Sequence, residues 1–437
     1  MIGPGTNTIE WRQEWGGRNA AGGRTVCSVR QIKLAIVGIG GYGDYSLGLL
    51  KRHVDPASYR LVGAIDPYYE RAPRYPALKA AGVPFYRTLE DFYGENHADL
   101  VLIVSPVHLH REQCVTAMRH GSDVLCEKPL TPLVQDVAPI SAVQRETGRR
   151  LGVGFQLSFS LPILALKRDI QSGLLGAPKA LRCCVSWPRY DSYYNSSWHG
   201  HLRDARGNWV LDSILSNATA HYLHNACFVL GDRTDTAAMP EELSVELYNG
   251  KGIETFDTAF LKGRFPGGCI LYLALTHSGT ETVNPVFRYE FEHALVTVRP
   301  GSGGAELVAD FSDGRTKCYG SMGEDQVAQK LRTMLAAAAD PAVEVPCTPE
   351  TIRPQLTITN AIFDQAKVHP LPGMVRCSEP EPGLFRPGFS ADVCRCFDRG
   401  LLPSELGLDW AAAPDVIRLE GYTAFSGARF AQGGFDR

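Results

Sequence analysis

The sequence lacks the features that mark membrane proteins and nucleic-acid-binding proteins. It contains no run of about eighteen apolar residues, so no segment is predicted to cross a bilayer as a helix. Lys and Arg total 44 against 47 Asp and Glu, a formal net charge of −3. A chain without a basic excess is not expected to bind nucleic acid or a membrane surface. A small molecule is therefore the predicted partner.

The sequence also lacks the cysteine spacing of zinc sites and of disulfide frameworks. None of its 12 cysteines forms a Cys-x-x-Cys pair, and the nearest spacing is Cys394-Arg395-Cys396. Others, such as Cys183 and Cys184, lie in apolar segments, as buried free thiols do. The first thirty residues contain no apolar stretch of the kind a secretory signal needs. We therefore predict a cytoplasmic protein.

Strands and helices alternate in the first part of the chain, which has room for two or three domains in its 437 residues. Short apolar runs that end in glycine, serine or proline are typical of buried parallel strands, and helical patterns lie between them. The predicted strands are 32–37, 59–65, 100–104, 124–126 and 153–155, and the predicted helices are 45–52, 111–120 and 133–147. This alternation predicts a doubly wound α/β domain with a parallel sheet.

The pattern changes after about residue 155. One long helical segment, 212–230, is followed by alternating segments such as 286–298. This predicts an α+β domain with a large, mostly antiparallel sheet. The last sixty residues are rich in proline and aromatic residues and are predicted to wrap over the body of the protein.

A glycine-rich motif follows the first predicted strand directly. In G-x-G-x-x-G the first glycine makes a tight turn, the second lets the backbone approach a pyrophosphate, and the third lets helix and strand pack closely. The helix that follows offers free N–H groups to the phosphates. The predicted dinucleotide-binding residues of this motif are Gly38, Gly40, Gly41, Tyr42 and Gly43.

Asp66 supplies a second element of a dinucleotide site. It lies 23 residues after Gly43, at the end of the second predicted strand, where a carboxylate accepts hydrogen bonds from ribose hydroxyls. The same charge repels the 2′-phosphate of NADP, so NAD is the predicted cofactor unless Arg71 or Arg74 folds onto the ribose. The alternative is an aspartate that only caps the turn before Pro67.

Lys128 follows the fourth predicted strand, within the segment Glu127-Lys128-Pro129. Ligands of an open α/β sheet bind beyond the carboxyl ends of its strands, so this lysine is expected near the nicotinamide end of the cofactor. The alternative is a solvated lysine at a strand exit. Only 11 of the 44 basic residues are lysines, which favours a specific role.

Together these segments resemble the oxidoreductase family of glucose–fructose oxidoreductase, inositol dehydrogenase and rhizopine-catabolism protein (Gfo/Idh/MocA). The resemblance covers about residues 32–300, and Glu127-Lys128-Pro129 is its most specific motif. It implies that Lys128 is a catalytic acid/base that also holds the reacting hydroxyl. It further implies that cofactor contacts come from Ser105, Pro106, His110, Glu127 and Lys128.

This chain departs from the family at a second catalytic motif. Many relatives carry Asp-x-x-x-His on a helix of the second domain, whereas this chain has Asn217 and His221 at that spacing. A separation of four places both side chains on one helix face. An asparagine can orient a hydroxyl, but it cannot take its proton. The predicted catalytic residues are therefore Lys128, His221 and Asn217, with Asn217 limited to orientation.

The segment 187–201 contains two tryptophans, three tyrosines, an arginine and two histidines. Aromatic faces beside polar donors suit a sugar ring, although subunit interfaces have a similar composition. Histidine pairs at 108 and 110, 199 and 201, and 221 and 224 lack the cysteine or glutamate partners of a zinc site, so no metal is predicted. The predicted substrate contacts are Lys128, Arg189, Tyr190, Trp198, Asn217 and His221.

The predicted function is hydride transfer between NAD and a hydroxyl of a sugar, cyclic polyol or glycoside, with Lys128 as acid/base. One alternative is NAD-assisted glycoside cleavage by transient oxidation and elimination, and another is a non-enzymatic cofactor-binding protein. The resemblance implies a homodimer or homotetramer formed through the sheet of the second domain. The predicted ranges are an N-terminal extension (1–30), a Rossmann NAD-binding domain (31–152), an α+β substrate and oligomerisation domain (153–375) and a C-terminal wrap (376–437).

Overall fold

A computed structural model describes residues 30–301 and 304–432. The predicted extension 1–30 lies outside these residues except for Arg30, and so do the last five residues of the predicted wrap. Within the described ranges, no helix is both long enough and apolar enough to cross a membrane.

The chain divides into two compact units that are not consecutive in sequence. The first contains residues up to Glu127 together with 143–151 and 331–345, and the second contains 128–142, 152–330 and 346–437. The predicted ranges 31–152 and 153–375 differ from this division in two segments. Segment 331–345 packs in the first unit, where Arg332 Nε donates to the carbonyl of His53 at 2.9 Å. Segment 128–142 packs in the second unit, where the Val134 N–H donates to Asn360 Oδ1 at 2.8 Å.

The first unit is built on a six-stranded sheet with the strand order β3-β2-β1-β4-β5-β6. The pairs β1–β2, β1–β4, β2–β3 and β4–β5 are all parallel, and this order defines the doubly wound dinucleotide-binding fold. The predicted α/β class is therefore confirmed. The elements are β1 (Ile32–Val37), α1 (Tyr42–His53), β2 (Tyr59–Ile65), α2 (Tyr75–Ala80), β3 (Phe85–Tyr86), α3 (Leu89–Glu95), β4 (Leu100–Ile103), α4 (Val107–Arg119), β5 (Asp123–Cys126), α5 (Val137–Thr147) and β6 (Leu151–Val153).

The second unit is built on a ten-stranded, mostly antiparallel sheet, as predicted. Its order is β14-β13-β12-β11-β7-β10-β9-β8-β15, with β18 also paired to β8. The elements that follow β6 are α6 (Gln156–Phe159), α7 (Leu161–Gln171), β7 (Pro178–Ser186), α8 (Asp191–Tyr194), α9 (Ala220–Val229), β8 (Glu242–Asn249), β9 (Thr258–Arg264), β10 (Ile270–Thr276), β11 (Val283–Phe291), β12 (Ala294–Gly301), β13 (Gly304–Phe311), β14 (Thr316–Ser321), α10 (Glu324–Val327), α11 (Gln329–Ala339), α12 (Pro349–Gln365), β15 (Val368–Pro370), β16 (Val375–Cys377), β17 (Gly383–Phe385), α13 (Phe389–Arg399) and β18 (Asp415–Arg418).

The predicted helix 212–230 is wrong in its first half, because α9 begins only at Ala220. The preceding residues form turns. Leu211 has a φ of 50°, in the left-handed region that helices do not use. The Ile214 carbonyl accepts from both the hydroxyl and the N–H of Thr219, at 2.5 and 3.0 Å, and not from the Ala218 N–H that an α-helix would pair with it.

The predicted C-terminal wrap contains a helix that covers one face of the large sheet. Residues of α13, including Phe389 and Val393, pack with Trp410 against Tyr248, Phe260 and other side chains of β7–β10. Residues of α7, α9 and α12 belong to a separate, larger core cluster with other side chains of the same sheet. Two apolar clusters therefore bury the central strands.

Candidate active site

The glycine loop between β1 and α1 has the geometry of a dinucleotide-binding turn. Gly38 has a φ of 85°, and a Cβ at this position would lie 2.9 Å from the Val104 carbonyl carbon. A Cβ at Gly43 would lie 2.1 Å from the Gly38 carbonyl oxygen, so helix and loop approach too closely for any other residue. At Gly40 a Cβ would meet no atom within 4 Å. The two crowded glycines set the turn, and the backbone at Gly40 faces open space that suits a pyrophosphate.

The Asp66 carboxylate lies against this loop. Its Oδ2 accepts a hydrogen bond from the Ile39 N–H at 3.2 Å, and its Oδ1 accepts one from the Tyr68 N–H at 2.8 Å. The second bond is the turn-capping contact considered as the alternative for this residue. The first brings the carboxylate to the glycine loop, where a ribose-binding acid is required. The structure therefore contains both contacts.

The two arginines near Asp66 have different surroundings. Arg74 Nε lies 2.7 Å from Asp44 Oδ1, so its charge is already paired. Arg71 is exposed and its guanidinium carbon lies 5.1 Å from the centre of the Tyr68 ring. Of the two, only Arg71 has no carboxylate partner among the described residues.

The other predicted cofactor residues of the first unit follow the carboxyl ends of β4 and β5. Pro106 caps α4, and the buried His110 ring bonds through Nε2 to the Ser105 carbonyl at 2.7 Å. The Ser105 hydroxyl donates to Gln113 Oε1. Glu127 is 6% exposed and directly follows β5. The buried His110 ring thus fixes the backbone of the loop after β4 through its hydrogen bond with the Ser105 carbonyl.

Lys128, the first residue of the second unit, is held by Asn217. Its Nζ donates to the Asn217 carbonyl oxygen at 2.8 Å and to Asn217 Oδ1 at 3.1 Å. The prediction that Asn217 and His221 share a helix face is wrong, since Asn217 precedes the first turn of α9. Asn217 Nδ2 donates to the Tyr193 hydroxyl at 3.2 Å. An ammonium group only donates, so its contact fixes which way the amide points.

His221 is a half-buried, neutral imidazole in the second unit. Burial lowers its pKa well below the ordinary value, and the charges of Lys128 and Lys330 lower it further. Its Nδ1 is buried and has no hydrogen-bond partner among the described residues. The edge of the Phe155 ring packs against the imidazole, with centroids 5.6 Å apart. A neutral imidazole can accept a proton or a hydroxyl hydrogen bond.

The aromatic segment 187–201 places a second neutral histidine beside Tyr193. The His199 ring lies 4.1 Å from the Tyr193 ring and 3.7 Å from the half-exposed Trp198 ring, measured between centroids. Burial lowers the pKa of His199 to about 4, with further lowering by Arg189 and Lys128. Both cations therefore lie within electrostatic reach of this histidine.

Two other predicted substrate residues occupy different positions in this segment. The Arg189 guanidinium carbon lies 4.9 Å from the Tyr193 ring centre and 5.6 Å from the Trp187 ring centre. Tyr190 instead packs edge-on against Phe385 of β17, with centroids 5.2 Å apart. Arg189 thus lies beside the Lys128–Asn217–Tyr193 chain of contacts, whereas the Tyr190 ring contacts the C-terminal segment.

Sequence reasoning missed Asp212. Its side chain is buried, and its Oδ2 accepts a hydrogen bond from the Gly200 N–H at 2.5 Å. Burial raises its pKa to about 7, while the Gly200 N–H, Lys128 and a hydrogen bond from Asn217 act in the opposite direction. The available signal was a carboxylate that directly follows the apolar pair Val210-Leu211. The erroneous helix prediction assigned Asp212 to the first turn of a helix, so this signal was overlooked.

The histidine pairs each have separate partners. His199 Nδ1 lies 2.6 Å from Ser196 Oγ, and His201 Nδ1 lies 2.9 Å from Glu254 Oε1. His224 Nε2 lies 2.8 Å from the hydroxyl of Ser158. In the described residues, no group of three or more His, Cys, Asp or Glu side chains is placed to hold a metal ion.

Comparison with known sequences finds similarity over residues 32–155. Residues 32–155 match the family model described as "Oxidoreductase family, NAD-binding Rossmann fold". Inositol 2-dehydrogenase 4 of Saccharopolyspora erythraea is 32% identical over 160 residues, 36% of this chain and 46% of that protein. The 1,5-anhydro-D-fructose reductase of Ensifer adhaerens is 31% identical over 184 residues, 42% of this chain and 52% of that protein. The alignments thus span about half the length of these curated relatives.

Solved structures share the fold of both units at low sequence identity. An oxidoreductase from Agrobacterium radiobacter, in complex with NAD+, L-tartaric acid and magnesium, has a TM-score of 0.62 and 15% identity, covering 76% of this chain and 95% of that one. The WlbA dehydrogenase from Bordetella pertussis, in complex with NADH and UDP-GlcNAcA, has a TM-score of 0.60 and 20% identity, covering 75% of this chain and 93% of that one.

The match of residues 32–155, the strand order of the first sheet and the geometry of the glycine loop agree with one another. Residues 32–155 are therefore similar to the NAD-binding Rossmann domain of the Gfo/Idh/MocA oxidoreductases.

Proposed function

We propose that this protein transfers hydride between NAD and a hydroxyl-bearing carbon of a sugar or cyclic polyol. The observation that carries the proposal is the position of the Lys128 ammonium. Lys128 directly follows Glu127, and its Nζ donates to the backbone and side-chain oxygens of Asn217. Glu127 ends the first segment of the first unit, which has the dinucleotide-binding fold, and Lys128 follows it directly in the chain. The relatives named as inositol dehydrogenase and anhydrofructose reductase act on substrates of this class.

The first unit fits NAD. The close approaches at Gly38 and Gly43 form the phosphate-binding turn, and the N-terminus of α1 offers N–H groups to the pyrophosphate. Asp66 would accept hydrogen bonds from the adenosine ribose and repel a 2′-phosphate. Bound NAD supplies the hydride acceptor. We expect NAD to be preferred to NADP, because Asp66 would repel the 2′-phosphate and Arg74 is already paired with Asp44, which leaves only Arg71 to offset that repulsion.

Lys128 supplies the acid/base chemistry. Oxidation of a carbinol breaks one C–H and one O–H bond, and the hydride leaves with its electron pair while the proton passes to a base. A deprotonated Lys128 amine takes that proton, and the protonated amine returns it when a ketone is reduced. The two Asn217 contacts hold Nζ in one place, so the acid/base group is preorganised before substrate binds.

His221 assists as a neutral partner for the same hydroxyl. Its lowered pKa keeps the imidazole uncharged at neutral pH, and its Nδ1 makes no hydrogen bond to any described residue. A neutral imidazole next to a cationic lysine can orient the hydroxyl without adding charge to the site.

The test is turnover of the full chain with NAD+ and a panel of sugars, polyols and glycosides. A dehydrogenase forms reduced nicotinamide in proportion to substrate consumed, which absorbance records. Lys128→Ala should lose this turnover while still binding NAD+ in calorimetry, and Lys367→Ala, at an exposed lysine of the same unit, should keep it. Failure of the wild type to bind NAD+ would refute the proposal.

A second candidate is NAD-assisted glycoside cleavage, in which oxidation, elimination and re-reduction recycle NAD. The neutral His199 beside Tyr193 favours it, because elimination needs a base in addition to the one that serves the hydroxyl. Release of aglycone with only catalytic NAD would identify this reaction. NAD binding with no turnover on any panel member would instead indicate a cofactor-binding protein.

A further inference from the structure

Arg189 carries a positive charge that the protein itself does not neutralise. The residue is half-buried, and no carboxylate of residues 30–301 and 304–432 lies within ion-pairing distance of its guanidinium. Its Nε is buried and has no hydrogen-bond partner in this part of the chain. Burying a donor without an acceptor costs free energy, and a charged donor costs more. The position of this arginine therefore needs an explanation other than stability.

Acidic side chains of the surrounding segments are committed to other groups. Asp191, two residues after Arg189, is paired with Arg376 at 2.6 Å. Asp257 and Asp212 accept hydrogen bonds from backbone N–H groups at 2.6 and 2.5 Å. These three carboxylates thus leave Arg189 available for an anion from outside the chain.

Two aromatic rings and a backbone hydrogen bond fix the position of Arg189. Its guanidinium carbon lies 4.9 Å from the Tyr193 ring centre and 5.6 Å from the Trp187 ring centre. Its backbone N–H donates to the His277 carbonyl at 3.2 Å, and the His277 ring bonds through Nδ1 to the Trp187 carbonyl at 2.9 Å. A guanidinium restricted in this way presents a planar set of donors that matches a carboxylate or a phosphate.

Tyr193 also connects Arg189 with the proposed acid/base. The Tyr193 hydroxyl accepts from Asn217 Nδ2 at 3.2 Å, and Asn217 Oδ1 accepts from Lys128 Nζ at 3.1 Å. Burial lowers the pKa of His199, beside the same tyrosine, to about 4, and the charges of Arg189 and Lys128 lower it further. Two cations thus lie along one short chain of contacts, and their potential favours a negatively charged substrate.

We infer that Arg189 binds an anionic substituent of the substrate, so that the protein acts on an acidic sugar or cyclic polyol, one that carries a carboxylate or a phosphate. The inference rests on the proposed function, because a hydroxyl of the same molecule reacts at Lys128. A carboxylate or a phosphate can accept two parallel N–H bonds from the guanidinium, whereas a neutral sugar leaves its charge without an anion. Arg189 therefore selects the acidic member from a pair of otherwise similar sugars.

The first test compares acidic sugars with their uncharged counterpart. The full chain is assayed with NAD+ on D-glucuronate, D-glucose 6-phosphate and D-glucose. One acidic sugar should have a kcat/KM at least about tenfold above that of D-glucose, and which one it is distinguishes a carboxylate from a phosphate. Arg189→Gln should lower this kcat/KM about 10- to 100-fold, as expected for hydrogen bonds between charged groups, and change the value for D-glucose less than about threefold.

Arg206→Gln is the matched control for the loss of charge. Arg206 is an exposed arginine of the same unit, so this variant should match wild type on every sugar. The inference would be overturned if wild type used D-glucose as well as the acidic sugars. It would also be overturned if Arg189→Gln lowered kcat/KM equally for all three sugars, or if Arg206→Gln showed the same selective loss.

Chemical modification of the wild type requires neither a variant nor catalysis. Phenylglyoxal reacts with accessible guanidinium groups, and modification of Arg189 in the full chain, with and without NAD+, is followed by peptide mass analysis. D-Glucuronate or D-glucose 6-phosphate should slow this modification at a concentration at which D-glucose has no effect. Equal protection by all three sugars, no protection, or an Arg189 that never reacts would each overturn the inference.

The labelling result and the proposed function can fail separately. Charge-selective protection of Arg189 without any turnover would refute the dehydrogenase and retain the anion site. Turnover of D-glucose without such protection would do the reverse.

Discussion

Replacing Asp212 with asparagine should stabilise the protein at neutral and alkaline pH. The pKa of this carboxyl is raised from 3.8 to about 7, mainly by burial, so the folded state holds its proton more tightly than the unfolded chain does. The contribution of Asp212 to stability therefore falls as pH rises from about 4 to 7 and then levels off. A shift of about three pKa units corresponds to about 4 kcal/mol, of which about 3 kcal/mol develops between pH 5 and pH 8.

Asp212→Asn removes this cost, because the neutral amide can still accept from the Gly200 N–H. Urea unfolding of both proteins at pH 5, 6, 7 and 8, followed by circular dichroism and tryptophan fluorescence, should give a stability difference that grows with pH in favour of the variant. Asp204 lies in the same loop and is not buried, so the stability difference between Asp204→Asn and wild type should not grow with pH. If wild type and Asp212→Asn changed in parallel over this range, the carboxylate would not be titrating inside the fold and the reasoning would be refuted.

The remaining predictions concern the proposed chemistry. Lys128→Ala should lower kcat by about 10²–10⁴, the usual contribution of one general acid/base, and Lys128→Arg should be nearly as damaging because guanidinium stays protonated; a variant that kept a tenth of wild-type kcat would place the base elsewhere. NAD+ should bind more tightly than NADP+ in calorimetry, and Asp66→Ser should narrow the difference; equal affinities in wild type would contradict the role of Asp66. Trp198→Ala should raise KM without changing NAD affinity, whereas a change of mass in light scattering with unaltered kinetics would make Trp198 an interface residue.

The first unit was predictable because its signals are local. Gly38 and Gly43 must be glycine for steric reasons that the motif spacing already expresses, and each apolar run is a strand buried on both faces. Lys128 could be singled out from the same local signal, since it is the second residue after such a strand.

The errors arose where distant contacts or side-chain hydrogen bonds decide the structure. Segment 331–345 looks like any helical stretch, and only its contacts with the first unit assign it there. The residues before α9 have an apolar helical pattern, but they form turns in which the Ile214 carbonyl accepts from the hydroxyl and the N–H of Thr219. Asp212 could not be recognised while it was assigned to that helix, and its hydrogen bond from the Gly200 N–H joins it to a segment that the helix prediction did not include.

The helix α13 also bears on how copies of this chain can associate. Its side chains and Trp410 cover Tyr248, Phe260 and Tyr272 on β8–β10, so this part of the sheet is already packed against the C-terminal segment of the same chain. The predicted assembly through that sheet would have to use β11–β14 instead, where Val286 is 38% exposed. Removing residues 371–412 would expose these aromatic side chains to water. Because the exposure of a large apolar surface is unfavourable, the shortened chain should self-associate or aggregate through it.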